Sequence, residues 1–302
     1  MINQGGYILK QGVHMKKFLF MTILMFLFST TSHAQNAREI MQKVIDRNDG
    51  TTEISRVRLS TCRVVKKGKK YVCADAPRVK VMDMVRKDYG PNEKDHKIVS
   101  IIIEPASEKG IGFLQYDYEQ KDKDTDQWLY LSALGKVKRI VSGNENEPKT
   151  GSFFGSEFSY EDMESFHIDD YTYKILGSET YRKRPCWVIE SVPGIKRAQK
   201  SNYSKFLDWI DKKQFIALKS ILFNRQGKKV KKIYNHNIET IDNILVPRKT
   251  LVFNMETKRR TYMIYDKIAF NKTVSDVFLT QRTLTDSVFR ESTLKKYQTY
   301  LK

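Results

Sequence analysis

The sequence predicts a mainly β protein (α+β): a long antiparallel meander, strongly curved, with helices filling its concave side. Three observations carry this. Short runs rich in Val, Ile, Tyr, Phe and Thr recur from Ser55 onward, separated by Gly, Asn, Asp or Lys-rich turns. Some runs are apolar on both faces, as at Ile98, Val99, Ile101, Ile102 and Ile103, which requires cover on both sides of the sheet. One clear amphipathic helix stands ahead of the strands to supply part of that cover.

In that helix Ala37, Ile40, Met41, Val44 and Ile45 recur at i, i+3, i+4, i+7 and i+8, a single apolar stripe. Asn36 is the N-cap, Glu39 three residues later completes a capping-box pattern, and Asn48-Asp49-Gly50 ends it. Strands are expected at 56–65, 70–74, 78–87, 97–104, 127–131, 137–141, 171–176, 186–191, 203–210, 215–224, 230–238, 250–254 and 260–270. A second helical segment is expected at 158–166, with short turns or helices at 275–279 and 287–296. No Pro/Ser-rich linker or internal repeat divides residues 35–302, which are expected to form one domain with a substantial core.

Residues 1–34 are set apart as an upstream extension plus a cleavable secretory signal. Lys16 and Lys17 supply a positive start, Phe18 to Phe28 is apolar except for Thr22, and Ser32-His33-Ala34 offers a small-x-small cleavage pattern. Residues 1–14 do not fit a signal, so translation is expected to start at Met15. A helix over 18–31 would reach only about 21 Å at ~1.5 Å per residue, short of a hydrocarbon core of about 30 Å. No cysteine follows Ala34 to carry a lipid anchor, so the expected product is soluble and periplasmic.

The formal net charge is +19, and removing Lys10, Lys16 and Lys17 leaves +16. For an exported chain this points away from nucleic acid and toward an anionic membrane surface or an acidic partner, with a plain solvated surface as the alternative. The runs Lys66-Lys67-Gly68-Lys69-Lys70 and Lys228-Lys229-Val230-Lys231-Lys232 sit by glycines, where hairpin tips would expose them. If Lys67-Gly68 is a two-residue turn, Cys62 and Cys73 face each other within disulfide range. Cys186 is then left as a buried apolar residue.

Nothing in the sequence points to catalysis, a metal or a cofactor. The histidines are scattered, no HExxH or GxSxG occurs, and Gly110-Ile111-Gly112 lacks the third glycine and the βαβ setting of a dinucleotide loop. Glu161, Asp162 and Glu164 are close together, and acids near a helix N-terminus are expected to face solvent. Aromatic side chains, in contrast, cluster in Gly110-Ile111-Gly112-Phe113-Leu114, in Trp128-Leu129-Tyr130-Leu131 and in the segment from Gly151 to Phe158. In the last, Phe153 and Phe154 are adjacent and cannot both point into one strand face. Such segments either line a cavity or pack as core.

These segments also resemble a known family. Glu104-Pro105 with Lys109-Gly110-Ile111-Gly112-Phe113-Leu114, then Trp128-Leu129-Tyr130-Leu131 with Lys138-Arg139-Ile140, come in the order of the motifs of the outer-membrane lipoprotein-sorting (LolA-like) family. So do Gly151-Ser152-Phe153-Phe154-Gly155-Ser156-Glu157-Phe158-Ser159-Tyr160-Glu161-Asp162, Tyr173-Lys174-Ile175-Leu176-Gly177, Cys186-Trp187-Val188-Ile189-Glu190 and Asp276-Val277-Phe278-Leu279-Thr280. The resemblance implies an unclosed, strongly curved antiparallel β-barrel whose hydrophobic cavity is lidded by helices. It implies a carrier of lipoprotein or lipid acyl chains moving toward the outer membrane, with an inner-membrane transporter and an outer-membrane acceptor as partners. The alternative is a non-transporting lipid-binding sensor or accessory subunit of an envelope membrane complex. Neither reading needs an enzyme. Cavity or lid contacts are expected at Ile40, Met41, Val44, Phe113, Trp128, Tyr130, Phe153, Phe154 and Trp187. Burying about fifteen methylenes at ~0.8 kcal/mol each supplies on the order of 12 kcal/mol, more than a shuttle can hold and still release. A lid that re-occupies the cavity would offset it.

Overall fold

Helix α1 (Ala37–Ile45) forms where the apolar stripe predicts it, and the Asn36 side chain caps it by accepting from the Arg38 N–H at 3.0 Å. The computed structural model describes residue 1 and residues 36–120, 123–142 and 147–301. The signal segment, the start at Met15 and the cut after Ala34 lie outside the described residues. Asn36–Lys302 is a unit of its own.

After α1 come β1 (Thr52–Lys67), β2 (Lys70–Cys73), β3 (Arg78–Tyr89), β4 (Asp95–Glu104), β5 (Gly112–Asp117), β6 (Asp126–Leu131) and β7 (Lys136–Ile140). The second half carries β8 (Tyr171–Tyr181), β9 (Arg184–Pro193), β10 (Tyr203–Asp211), β11 (Ala217–Asn224), β12 (Lys229–Ile241), β13 (Ile244–Asn254) and β14 (Arg259–Phe270). They form one antiparallel sheet in the order β7-β6-β5-β4-β3-β1-β14-β13-β12-β11-β10-β9-β8, with β2 hung on β1. The two halves meet where β1 pairs β14, from Glu53↔Phe270 to Arg63↔Arg259. The outer strands β7 and β8 follow each other in the chain but do not pair, so the curved sheet stays unclosed. Strand β5 falls outside the expected set. Its glycine and its buried Gln115 and Asp117 hide the apolar alternation of Phe113 and Leu114.

Alternation along β1 to β5 divides two cores. On one face Ile54, Val85, Val99, Ile101 and Leu114 pack under the C-terminal elements. These are a 3-10 turn (Asp276–Leu279), α3 (Gln281–Thr285) and α4 (Ser287–Gln298), which bring Phe278, Leu279, Leu284, Leu294 and Tyr297. A Cβ on Gly112 would lie 2.7 Å from the Leu284 side chain and 2.9 Å from that of Ile101, so the glycine lets α3 seat on β5. On the other face Val57, Leu59, Met82, Met84, Ile102 and Phe113 meet Val252 and Met263 from the second half.

Two expectations are corrected. The segment 158–166 is not a helix but a single 3-10 turn, Glu161–Met163, because its acids are spent on partners far away in the chain. The short helix α2 (Ile195–Lys200) lies instead between β9 and β10. The β1–β2 register is Lys67↔Lys70, Lys66↔Tyr71, Val65↔Val72 and Val64↔Cys73, so Gly68-Lys69 is the turn. Cys73 therefore faces Val64 rather than Cys62. A shift of two residues preserves the side-chain face, and the cysteines bond as diagonal neighbours with Cα atoms 5.6 Å apart. Cys186 is free and buried, and burial pushes its thiol up.

Candidate functional site

Residues 151–166, which lie between β7 and β8 in the chain, turn inward and touch β5, β12, β13 and β14, strands far apart in the sheet. Only a segment inside the curve can do this, so the plug lies on the concave face. Phe153 and Phe154 both reach the ring of Phe113, at 5.2 and 6.4 Å, and Tyr160 stacks on it at 5.9 Å. A strand would send the two phenylalanines to opposite faces. Here Phe154 takes a left-handed φ of 50° ahead of Gly155 at 70°, and the reversal brings both rings to one core. Gly151 (φ 110°) sits where a Cβ would lie 2.7 Å from the Tyr160 ring.

Polar side chains pin this apolar plug from both halves of the sheet. From the first half, Gln115 Nε2 donates to Met163 O at 2.6 Å and Gln127 Nε2 to Tyr160 O at 3.0 Å. From the second half, Arg259 pairs with Glu157 at 2.8 Å and Lys231 with Asp162 at 2.6 Å. Arg197 reaches Glu161 at 2.8 Å and Glu164 at 3.1 Å, and Lys149 also reaches Glu164, at 2.9 Å. Ser201 Oγ and Asn202 N donate to Glu161 as well. Asp162 accepts from Tyr203 Oη at 2.7 Å, and burial beside that carboxylate holds the phenol well above its ordinary range. The three acids expected to face solvent are thus anchors turned inward, with the Glu161, Asp162 and Glu164 side chains 5%, 4% and 11% exposed.

Helix α1 covers another part of the same face. Cross-strand partners share a face, and the row Val252↔Ile233↔Ser220↔Asp208↔Ile189 runs from the plug's core to the residue beneath α1. Ile40 and Met41 are buried on Ile189 and Ile210, with Val44 and Trp187 packed alongside and Phe215 5.7 Å from Trp187. In this row Ser220 Oγ donates to Asp208 at 2.5 Å, and burial pushes the Asp208 carboxyl up to about 6. A cleft of about 560 Å³ opens at the edge, lined by Ile45, Phe166 and Ile168 together with Lys94, His96 and Lys200.

The expected contact residues therefore fall in three places. Phe113, Phe153 and Phe154 form the plug core, and Ile40, Met41, Val44 and Trp187 the α1 core. Trp128 and Tyr130 pair with Leu114 and Gly112 and turn to the other face, against the C-terminal elements. Sequence reasoning missed Phe158 and Tyr160 as concave-face aromatics and Gln115, Gln127, Arg197 and Lys231 as pins. A polar residue in register with Phe113 was the available signal for the glutamines. The cations gave none, since their partners are distant in the chain.

Among the described residues no group of three or more His, Cys, Asp or Glu is placed to hold a metal ion, and no helix is long and apolar enough to cross a membrane. No curated protein sequence matches this chain. A family model described as that of an uncharacterized protein matches residues 94–286, well over half of it. Among solved structures, a DUF1329 family protein from Desulfovibrio piger aligns with a TM-score of 0.72 at 22% identity, over 82% of this chain and 97% of that one. A domain named for outer membrane lipoprotein sorting, from Vibrio parahaemolyticus, gives 0.71 at 25% identity, over 82% and 98%. A LolA superfamily protein from Nitrosomonas europaea gives 0.59 at 18%, over 81% and 97%. With the unclosed sheet, the covered concave face and these likenesses together, the chain belongs to the LolA-like family.

Proposed function

We propose that this protein is an exported periplasmic carrier that takes up acyl chains of lipoproteins or lipids on its concave face and delivers them toward the outer membrane. The observation that carries this reading is the nature of the cover. The apolar wall of Val57, Leu59, Met82, Ile102, Phe113, Val252 and Met263 is closed by a loop held through ion pairs and hydrogen bonds, not by further strands. Exchanging the loop for a ligand gives up side-chain pairs and packing but leaves the strand ladder of the sheet intact.

The energetics fit a shuttle. An acyl chain of about fifteen methylenes gains on the order of 12 kcal/mol by burial. Displacing Phe153, Phe154, Phe158 and Tyr160 costs about 1.5–3 kcal/mol each, or roughly 6–12 kcal/mol together. The displacement offsets half or more of the gain, which makes release easier than from an empty cavity. The name of the Vibrio relative supports lipoproteins as cargo. An inner-membrane donor and an outer-membrane acceptor complete the proposed route.

The test is to purify the protein from its own periplasm, extract it, and identify bound material by mass spectrometry. An acyl-bearing ligand, or uptake of a fluorescent fatty acid, is the expected result; absence of both sinks the reading. A second reading, an accessory subunit of an envelope complex, draws on the unpaired edges of β7 and of the eleven-residue β8, which are open to strand addition. A stable stoichiometric complex that forms without lipid turnover would favour it.

A further inference from the structure

We propose that the β1–β2 hairpin is a docking element for an anionic phospholipid bilayer. It is independent of what the concave face holds. The last pair of β1 with β3 is Thr61↔Arg78, and the last with β14 is Arg63↔Arg259. From Val64 onward β1 pairs with β2 alone, so the hairpin projects from the end of the sheet as a two-stranded ribbon.

Its base is braced. The Cys62–Cys73 disulfide ties the strands, Val64 N donates to Lys258 O at 2.7 Å, and Arg260 donates to Tyr71 O at 3.2 Å. The tip is bare: every residue from 65 to 71 is exposed. Those seven residues are Val65, Lys66, Lys67, Gly68, Lys69, Lys70 and Tyr71, and among the described residues the four lysines join no ion pair. The nearest acid in sequence, Asp75, already faces Arg63 at 3.8 Å.

The chemistry selects the partner. Four ammonium groups around a glycine turn form a convex point of positive charge, with no cleft to grip a folded acidic protein. Long lysine stems reach headgroup phosphates while Val65 and Tyr71 offer apolar surface and a phenol at the interfacial depth. Tyr71 is 58% exposed with its ring 5.8 Å from that of Phe253, and Val65, on the other face of the ribbon, is 40% exposed. The site is also placed to matter. The 254–260 turn that braces the hairpin holds the plug through Thr257 and Arg259, both on Glu157.

The experiment is vesicle co-sedimentation of the full protein with phosphatidylcholine liposomes, with and without phosphatidylglycerol, at low and moderate salt. Binding is expected only with phosphatidylglycerol and is expected to fall steeply with salt. Replacing Lys66, Lys67, Lys69 and Lys70 with Ala should weaken it on the order of a hundredfold or more. A charge-matched control, Ala at the exposed Lys183, Lys213, Lys267 and Lys272 away from the tip, should change it less than about fivefold. A Tyr71→Trp variant should gain fluorescence that brominated lipid quenches. Equal loss in both lysine variants, equal binding to neutral vesicles, or capture of an acidic protein with no vesicle binding overturns the proposal. All substitutions are on exposed side chains, so an unchanged thermal midpoint shows that folding is intact.

Discussion

Two single residues show how burial sets behaviour on the concave face and beneath the C-terminal helices. The Asp208 carboxyl is pushed up to about 6 from its ordinary 3.8, chiefly by desolvation, which the Ser220 hydrogen bond only partly counters. A raised carboxyl favours the folded state while it is protonated. As pH climbs from about 4 to 6 the unfolded chain ionises first, so stability falls through that window and is flat above it. Asp208→Asn should therefore stabilise the protein at pH 8 by up to about 3 kcal/mol, with the gain vanishing near pH 3. Urea unfolding of both proteins at the two pH values checks this. Gly112 has a steric role instead, and Gly112→Ala should cost about 1–3 kcal/mol by driving a methyl into Leu284 and Ile101. Thermal unfolding measures that loss. The second glycine of Gly110-Ile111-Gly112 thus has a packing reason that appears only when α3 is in place.

At the scale of elements, local periodicity served where an element's face is set by its own neighbours. Helix α1 and the C-terminal helix α4 stand where their patterns place them. The plug is the opposite case. Its acids resemble a helix start, but Glu161, Asp162 and Glu164 are paired with Arg197, Lys231 and Lys149 from elsewhere in the chain, a demand that a local pattern does not show. Asp162→Asn should leave the Lys231 ammonium, 10% exposed, without a countercharge and cost about 3–5 kcal/mol. Because the loss falls on the plug, hydrogen exchange over 151–166 should accelerate before the sheet opens, as mass spectrometry of exchanged peptides would show. If the sheet and the plug lost protection together, the plug would be part of the rigid core and not a removable cover.

For the whole molecule, the β1–β14 pairing makes the first and last strands one seam, and the C-terminal helices then seal the face of the first half. A chain stopped after residue 272 should expose Ile54, Val85, Val99, Ile101 and Leu114 together and aggregate, as size-exclusion chromatography would reveal. By itself the sequence determined the mainly β class, most strand positions, the opening helix, the family and the exposed lysines around Gly68, because each rests on spacing or motif within a short window; the second lysine run, expected at an exposed tip, instead enters β12 and buries Lys231 against Asp162. The sequence left Trp128 and Tyr130 grouped with Phe113, although in the sheet they turn to the opposite face. Only the tertiary structure decided which face is concave, that the chain's own phenylalanines fill it, and that cations distant in sequence hold them there. Those outcomes depend on cross-strand register and on charge pairs closed over long loops, and neither leaves a periodic trace along the chain.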